Sequence, residues 1–293
     1  MAKKTKDDPT GQRINRKRYA KRLAVRLTKA QRKVLAEFRS IPRKRKQQKI
    51  ISNDSLKFYL YDFTGDALDS LRLSIQNYID DELETTTDNM PDDWVFKQDI
   101  ELPFRQGTVE ELAVLNRTLS LTGLPFDPQS ALFSPRYLDA VRQAQIRNYN
   151  LIKTLSEQTA SQVLNEITNG IDAALTPTEI SESVVERFNV SKSNAKRIAD
   201  TEVNRAYTDA KLDAMELGDD REGVEIAALH ISSLIPTTRP THAARHNKLY
   251  TPAQQRIWWN KDKNRINCLC TVRSVLIDSS GNVLDSSLNK NFK

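Results

Sequence analysis

Glycine is scarce in this chain, eight in 293 residues, and few places could host the glycine-rich loop that cradles a phosphate. Cysteine is scarcer still. The two cysteines, Cys268 and Cys270, stand one residue apart, a loop too tight for an unstrained disulfide, so reduced thiols or a metal site are expected. No apolar run approaches the ~20 residues that cross a bilayer. The N-terminus has no apolar core after its lysines, which argues against a secretory signal and for a protein made and kept in the cytoplasm. Histidine numbers three. His242 and His246 stand four apart, but Ala243 occupies the place where a zinc protease carries its glutamate.

Charge is abundant, at 28% of residues against 38% hydrophobic, and its distribution is uneven. Residues 1–50 hold 19 Lys and Arg against three acids, a net of +16, whereas the remainder, with 26 basic and 35 acidic residues, is −9. The basic character therefore belongs to the N-terminal segment. Within it Tyr19, Leu23, Leu27, Val34 and Phe38 recur at helical spacing, surrounded by Arg16, Lys17, Arg18, Lys21, Arg22, Arg26, Lys29, Arg32 and Lys33. That pattern predicts a basic amphipathic helix ended by Pro42, with Arg43-Lys44-Arg45-Lys46 following in a linker. Three roles fit such a helix: neutralising nucleic-acid phosphates without reading sequence, packing its apolar stripe on a partner protein, or lying on a membrane surface. Met1–Gly11 reads as disordered.

Residues 54–84 show the cleanest periodicity, with Leu56, Leu60, Phe63, Ala67, Leu71, Ile75, Tyr78 and Leu83 along one face and Asn53 or Asp54 as cap. Trp94–Phe104 reads as irregular, and Val109, Leu112, Leu115 and Leu119 mark a helix stopped at Gly123. A proline-punctuated connector covers residues 124–133. Ser134-Pro135 starts a helix, Ser156 can cap another, and Thr176-Pro177-Thr178-Glu179 has the capping-box form. Ser191 opens a last helix that Gly218 stops, with Ala195, Ala199, Ala206 and Ala210 inward. Residues 224–231 read as a strand, and Thr271–Ile277 with Val283-Leu284 as a hairpin.

The fold expected is mainly α with an extended helical body and a small α+β C-terminal module. Its divisions fall at 1–50 (basic tail), 51–133 (helical), 134–221 (helical core), 222–285 (α+β module) and 286–293 (polar tail). In the module His242 and His246 on one helical face, with Cys268 and Cys270 on one strand face, would satisfy a tetrahedral zinc, a structural site rather than a catalytic one. The plainer alternative is a polar His and Arg cluster over buried thiols that pack as small hydrophobes. His230 is expected to be a satisfied core histidine. Asp200, Thr201, Glu202 and Arg205 form a polar patch best explained by helical ion pairing.

The order and spacing of Thr201-Glu202, Arg239-x-x-His242, His246 and Asn267-Cys268-x-Cys270 resemble the C-terminal module of the phage minor head, or head morphogenesis, proteins typified by phage Mu's F protein. Asn148-Tyr149-Asn150-Leu151-Ile152 is also similar to a family element, and the likeness covers roughly residues 130–280. Asp200 departs from a usual basic residue, Asn247 from a glycine, a change that leaves a left-handed turn accessible, and Leu269 from an arginine. The resemblance implies a non-enzymatic minor capsid protein in the virion, in the head interior or near the portal, after assembly in host cytoplasm. Its partners would be the portal protein, the major capsid protein and double-stranded DNA bound without sequence preference during assembly or ejection, with no membrane span. A metal-dependent hydrolase or nuclease using the His and Cys cluster is the competing expectation.

Overall fold

The computed structural model describes residues 4–5, 7–49, 55–62, 64–120, 131–132, 134–219, 225–278 and 280–284. The chain is mainly helical with a few short antiparallel strands, and it divides into two compact units, each assembled from separated segments. One comprises residues 20–95 and 148–198; the other comprises residues 1–19, 96–147 and 199–293.

The first unit is a helical bundle. Helix α1 (Arg13–Ser40) brings the predicted stripe into it, and Leu23, Leu27, Val34 and Phe38 are fully buried. This corrects two of the readings offered for that stripe: it is buried inside its own chain, so these side chains are not presented to a partner or a membrane. Each such side chain contributes about 1.5–3 kcal/mol by leaving water. The same unit buries Leu71, Ile75, Ile79 and Leu83 of α2 (Gly65–Leu83), Ile152, Leu155, Val163 and Ile167 of α4 (Pro135–Asp172) and Ile180, Val184 and Phe188 of α5 (Pro177–Asp219); α3 (Lys97–Ser120) belongs to the other unit.

Several boundaries differ from expectation. Arg43–Lys49 is strand β1, not a linker, and pairs antiparallel with β2 (Ser55–Tyr61), which was expected to begin the long helix. A four-residue spacing such as Leu56 to Leu60 is also a multiple of two, and the aromatic run Phe58, Tyr59, Tyr61 favours the strand. Tyr59 N donates to Ala174 O at 3.1 Å and Tyr61 Oη to Leu175 O at 2.9 Å. The helix starts at Gly65 behind Thr64, whose side chain accepts from Ala67 N; Asn53 and Asp54 lie outside the described residues. Serines 156 and 191 are not caps but lie inside unbroken helices α4 and α5. Ser156 Oγ donates to Asp80 Oδ1 at 2.7 Å, and Ser191 Oγ accepts from Thr159 Oγ1 at 2.9 Å. Buried between helices, a hydroxyl serves as a tie where at a helix start it would serve as a cap. The capping box at Thr176 and Glu179 forms as expected, as does the Ser134 cap, which accepts from Tyr137 N at 3.2 Å.

In the second unit α3 takes in residues 97–104, expected to be irregular, because Ile100 and Phe104 bury one turn apart despite Pro103 inside the helix. Helices α3 and α5 come close enough that a Cβ on Gly107 would lie 2.3 Å from Tyr207 O. Residues 7–11, part of the segment expected to be disordered, are ordered here: Asp8, Thr10 and the following Gln12 are buried, with Thr10 Oγ1 donating to Asp8 Oδ1 at 2.5 Å and Gln12 N to Thr10 Oγ1 at 3.1 Å. Strand β3 (Glu225–Ile231) is central in a three-stranded antiparallel sheet, flanked by β4 (Leu249–Tyr250) and β5 (Thr271–Ile277). The hairpin after β5 forms with Gly281 at φ +82° and an Ile277–Val283 bridge, Asp278 accepting from the backbone N–H groups of Ser280 and Asn282. Two helices join the sheet: α6 (Pro240–Ala243) and α7 (Pro252–Asn260). The α7 start carries a capping box of Thr251 and Gln254 that sequence reading passed over. Glycine 123, the connector except residues 131–132, Val224 and the polar tail 286–293 lie outside the described residues. No helix among the described residues is long and apolar enough to cross a membrane.

Candidate metal centre and the polar frame around it

The turn from Lys261 to Asn267 delivers both cysteines to the start of β5, and its backbone is costly. Asp262, Lys263 and Asn267 take positive φ of 50°, 58° and 52°, at about 1–2 kcal/mol for an ordinary side chain such as lysine. Arg239 offsets that cost. Its guanidinium donates to Lys263 O at 3.0 Å, Asn264 O at 2.6 Å and Ile266 O at 3.2 Å. Helix α5 holds the other side: Thr201 Oγ1 accepts from Asn267 N at 3.2 Å, and Asn204 Nδ2 donates to Cys268 O at 2.6 Å. Asn204 Oδ1 in turn accepts from Arg16 Nη1 at 2.7 Å. Thr201, Arg239 and Asn267, singled out in the sequence, thus converge on one turn, and Asn204 completes the set.

His242, on α6, points Nδ1 at both sulfurs, 3.4 Å from Cys270 Sγ and 3.5 Å from Cys268 Sγ. All three residues are buried, at 2%, 7% and 3% exposure, and their ligand atoms lie within 4.8 Å of one another. The Cys270 N–H donates to Cys268 Sγ at 3.4 Å. The hydrogen bond from the Cys270 side chain, aided by His242, holds the Cys268 thiol well below the usual thiol range, and the same bond with burial pushes Cys270 up. The pair shares one proton more readily than two. Around them pack Trp259, Val272 and Leu276, so the sulfurs also belong to the core.

His246 does not join this group. The helical turn ends before it, and its Nδ1 accepts from Ser232 N at 3.1 Å. Asn247 takes the left-handed conformation, φ 58°, as its identity allowed, and its N–H bonds His230 O at 2.9 Å. His230 is fully buried as expected, beside Trp258 and Trp259, but it is satisfied only at Nδ1: its Nε2 has no hydrogen-bond partner among the described residues. Gln255 Oε1 accepts from Arg245 Nη2 at 3.0 Å, so His230 Nδ1, at 3.2 Å from the same oxygen, is the donor. Burial pushes the His230 pKa down to about 3. Arg245, which sequence reading did not single out, is stacked with its guanidinium carbon 3.4 Å from the Tyr250 ring centre and 4.2 Å from that of Trp258. The aromatic spacing Tyr250 to Trp258 was the available signal.

Glu202 is buried and accepts from Arg147 Nε at 3.0 Å, with Arg205 Nη1 4.0 Å away, which bears out ion pairing on that patch. Asp200 lies 4.0 Å from Arg16 Nε. Asp209 shares Arg147 and Arg205 with Glu202 and is ringed by these two, Arg265 and Arg256. Burial opposes its charge, but the arginines outweigh burial and hold its carboxyl below the usual range.

The basic residues of α1 divide into two groups. Arg16 is buried and pairs with Asp8 at 2.9 Å; Arg18 lies 3.5 Å from Asp99. Arg22 donates to Val95 O, Arg26 to Glu82 O, and Lys33 pairs with Glu82 at 2.9 Å. By contrast Lys17, Lys21, Lys29 and Arg32 are exposed. Arg43 bonds Arg39 O and Lys44 is exposed on β1; Arg45 and Lys46 lie on the same strand, their side chains outside the described set.

No curated protein and no solved structure matches this chain. Residues 161–273 match the family described as Phage Mu protein F like protein, a span that runs from α4 through the motif residues and both cysteines into β5. This segment is similar to the phage Mu F-like family, and the likeness covers less than half of the chain.

Proposed function

We propose that the protein is a non-enzymatic minor component of a phage head, associated with portal or major capsid protein and with packaged double-stranded DNA during assembly or ejection. The observation that carries this reading is the family match over 161–273, which takes in Thr201, Arg239, Asn267 and the His242, Cys268 and Cys270 group together. DNA contact rests on Lys17, Lys21, Lys29 and Arg32, which stay exposed on α1 while its apolar stripe is buried. Such cations neutralise phosphates without reading bases. The non-enzymatic reading draws support from the burial of the His and Cys group, which denies a polymeric substrate access.

Quantitative mass spectrometry of purified heads tests the assignment. A low, reproducible copy number relative to portal protein is expected, and absence from both immature and mature heads would overturn it. For DNA, affinity should fall with salt by about 0.9 log units per log unit for each phosphate neutralised. Replacing Lys17, Lys21, Lys29 and Arg32 together by alanine should lower that slope by about 3 to 4; an unchanged slope removes DNA from the proposal.

A further inference from the structure

We propose that His242 Nδ1, Cys268 Sγ and Cys270 Sγ bind one thiophilic divalent cation of the zinc class, a staple that pins α6 to the entrance of β5. Geometry is the first argument. Zinc bonds of about 2.3 Å to sulfur and 2.0–2.1 Å to nitrogen at tetrahedral angles place neighbouring N and S ligands about 3.6 Å apart. The two N···S separations are 3.4 and 3.5 Å.

Chemistry is the second. An imidazole and two sulfurs are ligands that suit zinc and other soft cations, and hard cations such as magnesium prefer oxygen. Thiols packed merely as small hydrophobes would not require a buried imidazole nitrogen aimed at both of them. The Cys270 N–H on Cys268 Sγ supplies a donor suited to a thiolate.

The third argument is the frame. Arg239, Thr201 and Asn204 fix the backbone on either side of Cys268 through five hydrogen bonds, to the turn carbonyls, to Asn267 N and to Cys268 O. Outer partners of that kind hold ligands in place before an ion arrives. They also explain why the site has three protein ligands, where spacing alone offered four. His246 is tied to Ser232 N on the other side of the turn and stays out. Among the described residues no further His, Cys, Asp or Glu joins the group.

The experiment uses the full chain, purified under reducing conditions. Metal analysis after dialysis against metal-free buffer should find one zinc per chain. Cobalt(II) titration should give sulfur-to-cobalt charge-transfer absorption with an intensity for two thiolates and the visible bands of a four-coordinate ion. His242→Gln and Cys268→Ser should each weaken zinc binding at least 10-fold to 100-fold, whereas His246→Gln should leave affinity and spectrum unchanged. Two outcomes would overturn the proposal: a folded, reduced chain that takes up neither zinc nor cobalt, or equal loss from His246→Gln and His242→Gln. If the cysteine variant fails to fold, the thiolate count from the unaltered chain's cobalt spectrum decides.

Discussion

The bundle formed by residues 20–95 and 148–198 and the sheet module of the other unit are stabilised in opposite ways. In the bundle, stripes of leucine, isoleucine and valine are buried, with polar ties such as Ser156 to Asp80 set between them. In the module, the segment bearing the cysteines is placed by directional groups: an arginine fork on three carbonyls, a threonine, an asparagine and a histidine. Apolar stripes tolerate exchange among shapes of similar volume. Directional contacts do not, because each lost partner leaves a buried donor or acceptor unsatisfied.

Substitutions that break each region in its own currency test this difference. Phe188→Ala in the bundle empties a fully buried aromatic position and should cost about 3–5 kcal/mol in denaturant unfolding, with Phe188→Leu recovering most of it. In the other unit Glu111 is fully buried, pairs with Lys211 at 2.8 Å and accepts from Ser274 N at 2.6 Å. Glu111→Gln keeps the shape but leaves Lys211 without its counter-charge, and should also cost about 3–5 kcal/mol. The conservative exchange is thus expected to be mild in one region and severe in the other.

Arg239→Lys keeps the charge but cannot span three carbonyls, so it should cost about 2 kcal/mol. Amide exchange in residues 261–267 should rise more than in the bundle. A loss spread evenly over the chain would contradict the local role.

The last effect is a pH dependence, absent at neutral pH. His230 is depressed to about 3 in the folded chain and is near 6.5 when unfolded. Its contribution is fully present above about pH 6.5, where both states are neutral. As pH falls toward 3 the unfolded state takes up a proton that the folded state refuses, and stability drops by up to about 1.4 kcal/mol per pH unit. His230→Phe should remove that part of the slope in acid unfolding.

Periodicity made the apolar faces of α1, α4 and α5 legible, since Tyr19 through Phe38 and Ile180, Val184 and Phe188 are buried as spaced. It failed where a spacing served two structures, at Leu56 and Leu60, and where a serine had two uses, at 156 and 191. In the site, spacing found His242, Cys268, Cys270, Arg239 and Thr201, but it could not separate His246 from them. Four residues along a helix would have aligned the histidines, and the helix ends after one turn. Asn204 left no trace in spacing because its partner, Cys268 O, comes from a distant element.

Arg16 meets Asn204 across 188 residues of chain. At translation rates of about 5–20 residues per second, roughly 10 to 40 s pass between the synthesis of one and the other. For that interval the basic segment has Asp8 beside it but not the asparagine that will bury it. Because the excess of acids lies after residue 50, a nascent chain is also a stronger polycation than the finished protein. Any acidic partner that needs Arg16 itself has only that window in which to find it.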